Sequence, residues 1–178
     1  MIYLIGILII LMLVIIAILP GIFIGKYIYK KDKDKEPKKI IVKLLIFGVL
    51  SCIPAIILEK FYDFLFPNQD TFLTILFACI IGIGFFEEIS KFLPAYFIGL
   101  KSKYFDDVYD AIFYTTFSTL GFAIFENILY VLTGGLITAI MRFFTAIPGH
   151  ISNAVIMGYF IGIAHKYKNN NKDTANNK

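Results

Sequence analysis

Residues 1–25 read MIYLIGILIILMLVIIAILPGIFIG, 25 positions without one charged side chain. A helix of about 20 apolar residues crosses the hydrocarbon core of a bilayer, and only helices and closed barrels satisfy their backbone there. This stretch therefore sets the fold class, an all-α integral membrane protein. It lacks the basic leader and small-residue cleavage site of a secretory signal and exceeds a signal core in length, so it is expected to stay as the first helix. The whole chain agrees: 58% of its 178 residues are hydrophobic and only 17% charged, against about 25% charged in soluble proteins. Secreted disulfide scaffolds, coiled coils and disordered chains are excluded. Cys52 and Cys79 lie in apolar blocks without CxxC spacing and read as packing residues.

Outward from that helix, Lys30 to Lys39 forms a polar loop whose Pro37 suits the first turn of a second helix at 40–58. A polar connection at 59–70 leads to a third apolar block, 71–100, and a loop at 101–106 to a fourth, 107–132. Gly134-Gly135 reads as a break before a fifth block at 136–164. The spacing thus predicts a polytopic bundle of about five transmembrane helices, one integral membrane domain over 1–165 and a disordered cytoplasmic tail over 166–178. Lys and Arg number seven between Lys26 and Lys39, one in 59–70, two in 101–106, none in 133–141 and four after Ala164. Rich and poor loops alternate, which places the N-terminus outside and the C-terminus in the cytoplasm. The basic residues flank apolar blocks, so the net charge of +4 points to a membrane surface and not to nucleic acid.

A charge at the centre of a spanning helix costs about 2.5 to 3.5 kcal/mol on insertion scales, so each one calls for a partner or a wet cavity. The third block carries Glu87, Glu88 and Lys91, the fourth Glu126, the fifth Arg142 and His150. In Glu87-Glu88-Ile89-Ser90-Lys91 the lysine follows the acids by four and three residues, so all three share a helix face. Lys91 can neutralise one acid, and the other is free to act as general base or acid; the bland alternative is an ion-pair cluster that only ties helices together. Tyr130 lies one turn after Glu126, where its hydroxyl can orient a carboxylate or ligand, while Asn127 points elsewhere and can bond a neighbouring helix. His150, after Pro148-Gly149, can bind a metal, move protons or donate to an oxyanion, with Asn153 one turn on. Arg142 reads equally as an interface anchor or an anion-binding group.

Asp106-Asp107-Val108-Tyr109-Asp110 matches a magnesium-binding DDxxD pattern, but acids at a helix start are what capping favours. Gly158 and Gly162 form a small-residue seam for close packing against a neighbour within the bundle, the plainer reading, or against a second copy.

Taken together, the EExxK element Glu87 to Lys91, the FExxxY element Phe125 to Tyr130, and the element from Arg142 through His150 to Gly158 and Gly162 resemble the PrsW family of intramembrane proteases. That family is related to the type II CAAX prenyl endopeptidase and bacteriocin-immunity superfamily. The resemblance spans roughly 32–166 and implies a multi-pass protease of the bacterial plasma membrane. It also implies cleavage of a single-pass membrane protein, an anti-sigma factor in the known cases, in regulated proteolysis that starts a stress response. It further implies that Glu87, Glu88, Glu126 and His150 are catalytic, with Lys91, Tyr130, Arg142 and Asn153 in support. Related sequences often carry a polar residue four positions after the histidine, where this chain has Ala154.

Two chemistries fit these residues. Glu126 and His150, with Glu87, would hold a divalent metal such as zinc that acidifies a water; alternatively Glu87 or Glu88 activates water directly while His150 stabilises the oxyanion. The absence of HExxH tips the reading slightly toward the metal-free route. Other classes are a non-catalytic immunity or scaffold protein and a proton-coupled transporter, the latter weakened by the lack of an internal repeat.

Helix geometry raises one obstacle. At about 1.5 Å per residue, straight helices put Glu87 and His150 more than about 20 Å from the ends of their blocks but Glu126 only about 9 Å from residue 132. A tilt, a break near Gly82 or Gly84, or a shifted helix end would level them. A gap beyond about 10 Å between Glu126 and both partners would rule out a joint site.

Overall fold

The computed structural model describes the backbone of residues 2–176 and the side chains of 3–168. The first long apolar helix is α1 (Ile2–Lys31). Pro37, with φ near −58°, opens α2 (Lys38–Leu50), which runs on through Ser51 into α3 (Cys52–Leu65) as a single crossing. The third crossing is not uniform. Thr71 and Thr74 cap each other's backbone at the start of α4 (Phe72–Phe77). Ala78–Phe85 then widens into a π-helix, and α5 (Phe86–Pro94) returns to α geometry. Ala95–Leu100 widens again just past Pro94, which has no N–H for the ladder.

The last element, α6 (Val108–Asn176), bends at Gly135, whose φ of 70° is readily adopted by glycine. Straight, the 61 residues of Val108–Lys168 would measure about 90 Å, three bilayer cores. The bend instead lays arm 136–168 back along arm 108–134. The Thr115 hydroxyl donates to the Ala154 carbonyl at 2.9 Å, Gly158 lies against Ala111, Ile112 and Thr115, and Gly162 against Val108. Four helices among the described residues are long and apolar enough to cross a membrane, and the bend in the last makes five crossings. The expected helical membrane bundle is therefore present.

Arm 108–134 is the centre of the bundle. Phe113, Tyr114, Thr115, Thr116, Phe117, Ser118, Thr119 and Leu120 are all buried, a run buried on every side, while α1 and α2 pack around it. Outer faces carry exposed Ile, Leu and Phe, as a lipid-facing surface requires. α2 and α6 cross backbone to backbone: a Cβ on Gly48 would strike the Ser118 carbonyl, and one on Gly121 the Leu45 carbonyl. Gly121→Val is expected to lower stability by about 1 to 3 kcal/mol through overpacking. Thermal unfolding in detergent, followed by circular dichroism, reads this, and a wild-type midpoint would mean that the crossing yields freely.

Two expectations change. The second crossing extends to Leu65, past residue 58, because Phe61, Phe64 and Leu65 continue the apolar pattern and Pro67 is the first stop signal. Glu59 thus sits on a helix and not in a loop. Cys52 is buried, its thiol 3.6 Å from the Phe122 carbonyl, but Cys79 is exposed on the outside of the bundle and packs no core. Within the expected tail, the backbone is helical to Asn176, no Pro or Gly standing in the way; residues 177–178 and the side chains from 169 lie outside the described residues.

At the Lys-rich end, Asp110 Oδ2 accepts the amides of Asp106 and Asp107 while Asp107 Oδ1 accepts that of Asp110, the capping role expected of the DDxxD run. Glu36 is buried beside them, and its Oε2 has no hydrogen-bond partner. Burial first, then the neighbouring Asp110, Asp32 and Asp106, pushes its carboxyl up to about 7, against the pull of the Tyr114 hydroxyl. A raised acid is held protonated by the fold, so stability should fall as pH rises from about 4.5 toward 7. The unfolding midpoint of the wild type is expected to drop between pH 5 and 8 relative to Glu36→Gln. Parallel profiles would disprove it.

Candidate active site

α5 presents Glu87, Glu88 and Lys91 on one face, as their spacing requires. Lys91 is fully buried. Its ammonium donates to Glu87 Oε2 at 2.7 Å, to Glu88 Oε1 at 3.1 Å and to His150 Nδ1 at 3.0 Å. It also lies 4.5 Å from the centroid of the Phe122 ring. The Lys91 carbonyl accepts the Ser118 hydroxyl at 2.6 Å, which pins α5 to the central arm.

Arm 136–168 of α6 contributes Arg142, His150 and Asn153. His150 Nε2 lies 3.0 Å from Glu126 Oε2, and Arg142 Nη2 reaches the same oxygen at 2.7 Å. Glu126 is therefore in direct contact with His150, and the separation that would rule out a joint site is absent. Counted from Gly135, His150 lies six residues farther along its arm than Glu126 along the other, about 9 Å of rise. The side chains close that gap themselves. Every Cβ tilts toward its helix N-terminus, and in antiparallel arms those tilts aim Glu126 and His150 at each other.

Around this contact a second layer holds Arg142. Its Nε donates to Asn127 Oδ1 at 2.6 Å, and its guanidinium carbon lies 4.0 Å from the Tyr130 ring centroid. Asn127, fully buried, donates in turn to the Ala17 carbonyl of α1 at 3.3 Å. Tyr130 thus contributes its ring face, and not the hydroxyl contact to a carboxylate read from its spacing. Arg142 is held by a carboxylate within the bundle instead of reaching for the interface. Asn153 donates to Glu88 Oε1 at 3.4 Å.

These contacts fix the imidazole. An ammonium only donates, so His150 Nδ1 accepts from Lys91, and Nε2 carries the proton that goes to Glu126. A carboxylate on one ring nitrogen with the other facing acids is the arrangement that orients metal-ligating histidines. One donor atom each from Glu87, Glu88 and His150 lies within 4.8 Å of the others. Two carboxylates and an imidazole suit a divalent ion such as zinc, and the group already gathers around one cation, the Lys91 ammonium, so the residues fit. Ammonium and metal would exclude each other at that point. The metal-capable group differs from the expected one: Glu88 belongs to it, whereas Glu126 turns to the far side of the imidazole.

Beside these groups lies a cavity of about 290 Å³ lined by residues including Cys52, Glu59, Glu87, Phe122, Glu126, Tyr130 and Thr133. Sequence reasoning missed Glu59, which it placed in a loop; continued apolar periodicity past residue 58 is the signal that finds it, whereas the bond of Asn127 to a neighbouring helix is as read from the sequence.

The sequence profile described as PrsW family intramembrane metalloprotease matches residues 36–176. The chain is 32% identical over 156 residues to Protease PrsW of Oceanobacillus iheyensis, covering 88% of this chain and 71% of that protein. It is 31% identical over 149 residues to Protease PrsW of Bacillus subtilis, covering 83% and 66%. With the Geobacillus kaustophilus relative the figures are 32%, 83% and 64%, so the chain spans about two thirds of the length of these proteins. No solved structure matches it. Bacterial relatives and five apolar crossings make it a multi-pass bacterial membrane protein, and the metalloprotease description goes against the slight preference for a metal-free route drawn from the missing HExxH. With the profile covering most of the chain and relatives above 30% identity, the chain belongs to the PrsW family of intramembrane metalloproteases.

Proposed function

We propose that the chain hydrolyses a peptide bond in a single-pass membrane protein, such as an anti-sigma factor in regulated proteolysis, at the cavity that Glu87 and Glu126 line. One observation carries this reading: five ionisable side chains from three helix segments gather around His150 at membrane depth. A proton relay would string them along the membrane normal, whereas here they surround one point beside one cavity.

Each residue then has a part. Glu87, Glu88 and His150 Nδ1 would hold a divalent metal, which when bound supplies an acidified water. Glu126 keeps the imidazole in its Nε2–H form, and Arg142, braced by Asn127 and Tyr130, fixes Glu126. Lys91 balances the charge of the paired acids while no metal is bound, and a metal would take over that balance. Glu87, the member of that pair on the cavity wall, would take the proton of the attacking water on the carboxylate oxygen that does not hold the metal and return it to the leaving amine. The Lys-rich end faces the cytoplasm, so the cavity, which reaches Thr133 near the bend, serves bonds toward the outer side.

The test compares protein N-termini in membranes of cells expressing the wild type, Glu88→Gln, Glu126→Gln or His150→Ala at matched levels. New termini near the membrane segment of a single-pass protein, lost in all three variants, are expected. Identical termini under several envelope stresses, with variants that fold, would point instead to an immunity or scaffold role.

A further inference from the structure

Three carboxylates and no basic residue line the cavity: Glu59, Glu87 and Glu126. Two of them are engaged. Glu87 is paired with Lys91, and Glu126 with Arg142 and His150. Glu59, half-buried on α3, has no hydrogen bond or ion pair among the described residues, and the charges that act on it most strongly are mainly negative, those of Glu87, Glu126 and Asp63, with Lys91 opposing.

A carboxylate at membrane depth without a partner is costly unless something cationic reaches it. The bundle's own cations near the cavity, Lys91 and Arg142, are already held by two or more acceptors each. Between Glu59 and the paired acids the wall is apolar and aromatic, formed by Ala55, Ile56, Phe122, Leu129 and Tyr130. Such a wall fits the aliphatic stem of a long side chain whose charged head ends at a carboxylate.

We propose that Glu59 is a substrate-binding residue, the floor of a subsite that takes a Lys or Arg side chain of the substrate a few residues from the scissile bond. This rests on the protease reading of the same cavity. Recognition by a charge-assisted hydrogen bond inside the bilayer gives the enzyme its choice among apolar segments, which otherwise offer little to distinguish them. An incoming lysine and Glu59 neutralise each other when they meet.

The membrane proteins of the expressing cell serve as probe. Cleavage sites are mapped for the wild type, Glu59→Gln and Glu59→Lys, with His150→Ala as the blank, and the best site is remade with its basic residue changed to Met and to Glu. Wild-type sites should share a Lys or Arg at a fixed offset. The ratio of cleavage at the basic site to that at its Met version should fall by about 10- to 100-fold in Glu59→Gln, the worth of a hydrogen bond to a charged group. In Glu59→Lys the preference should pass to the Glu version. Cleavage sites without a basic residue, or equal ratios in wild type and Glu59→Gln, would overturn the subsite and leave the protease reading intact. No cleavage above the His150→Ala blank would overturn both.

Discussion

Changing His150 to Ala is expected to slow peptide cleavage by about 10²- to 10⁴-fold, the usual loss on removing a group that acts at the reacting atoms. Glu126→Gln should cost less, about 10- to 100-fold, because Glu126 acts through the imidazole it orients. The two losses should not multiply in the double variant, since both work through one ring. The measurement is single-turnover cleavage in micelles of the substrate found by terminus mapping, with bound metal per protein as a second readout. His150→Ala should lose metal, whereas Glu126→Gln should bind it more weakly. A Glu126→Gln enzyme as slow as His150→Ala would place Glu126 in the reaction itself, and near-wild-type cleavage by His150→Ala would remove the site.

Lys91→Met should be the most damaging change to the fold. Lys91 is fully buried and holds two carboxylates and an imidazole. Taking one partner from a buried ion pair typically costs about 3 to 5 kcal/mol, because the remaining charge stays buried and unpaired. Adding Glu87→Gln to Lys91→Met removes part of that orphaned charge and should restore part of the stability. The yield of monodisperse protein and the unfolding midpoint in detergent report both. Lys91→Met with a wild-type midpoint would show that a different cation covers the acids in the cell.

The apolar blocks made five crossings legible, because a bilayer tolerates only charge-poor runs of fixed length and Gly135 marks the bend. The shared face of Glu87, Glu88 and Lys91 was legible too, since it depends on local spacing alone. Partner choice was not. That Glu126 meets Nε2 and Lys91 meets Nδ1 of the same ring depends on the opposed tilts of side chains in two antiparallel arms, which spacing within one helix does not reveal. Tyr130 misled for a similar reason: its position on the Glu126 face is right, but Arg142 arrives from the other arm and covers its ring. Glu59 was hidden by its charge, which resembles the end of a crossing when read without the apolar residues after it.

The π-helical turns at Ala78–Phe85 set a direction as well as a width. Each π-type hydrogen bond encloses one residue more than an α-type bond, so the residues beyond the turn lag in angle about the helix axis. The compass bearing of Glu87, Glu88 and Lys91 is therefore set by how many residues precede them and only weakly by which ones. Side-chain exchanges along 78–85 that keep its small residues leave that bearing unchanged, and substitution scans would pass over the segment as indifferent. Removing a single residue from it would turn all three groups together, like a key cut one notch short, away from His150.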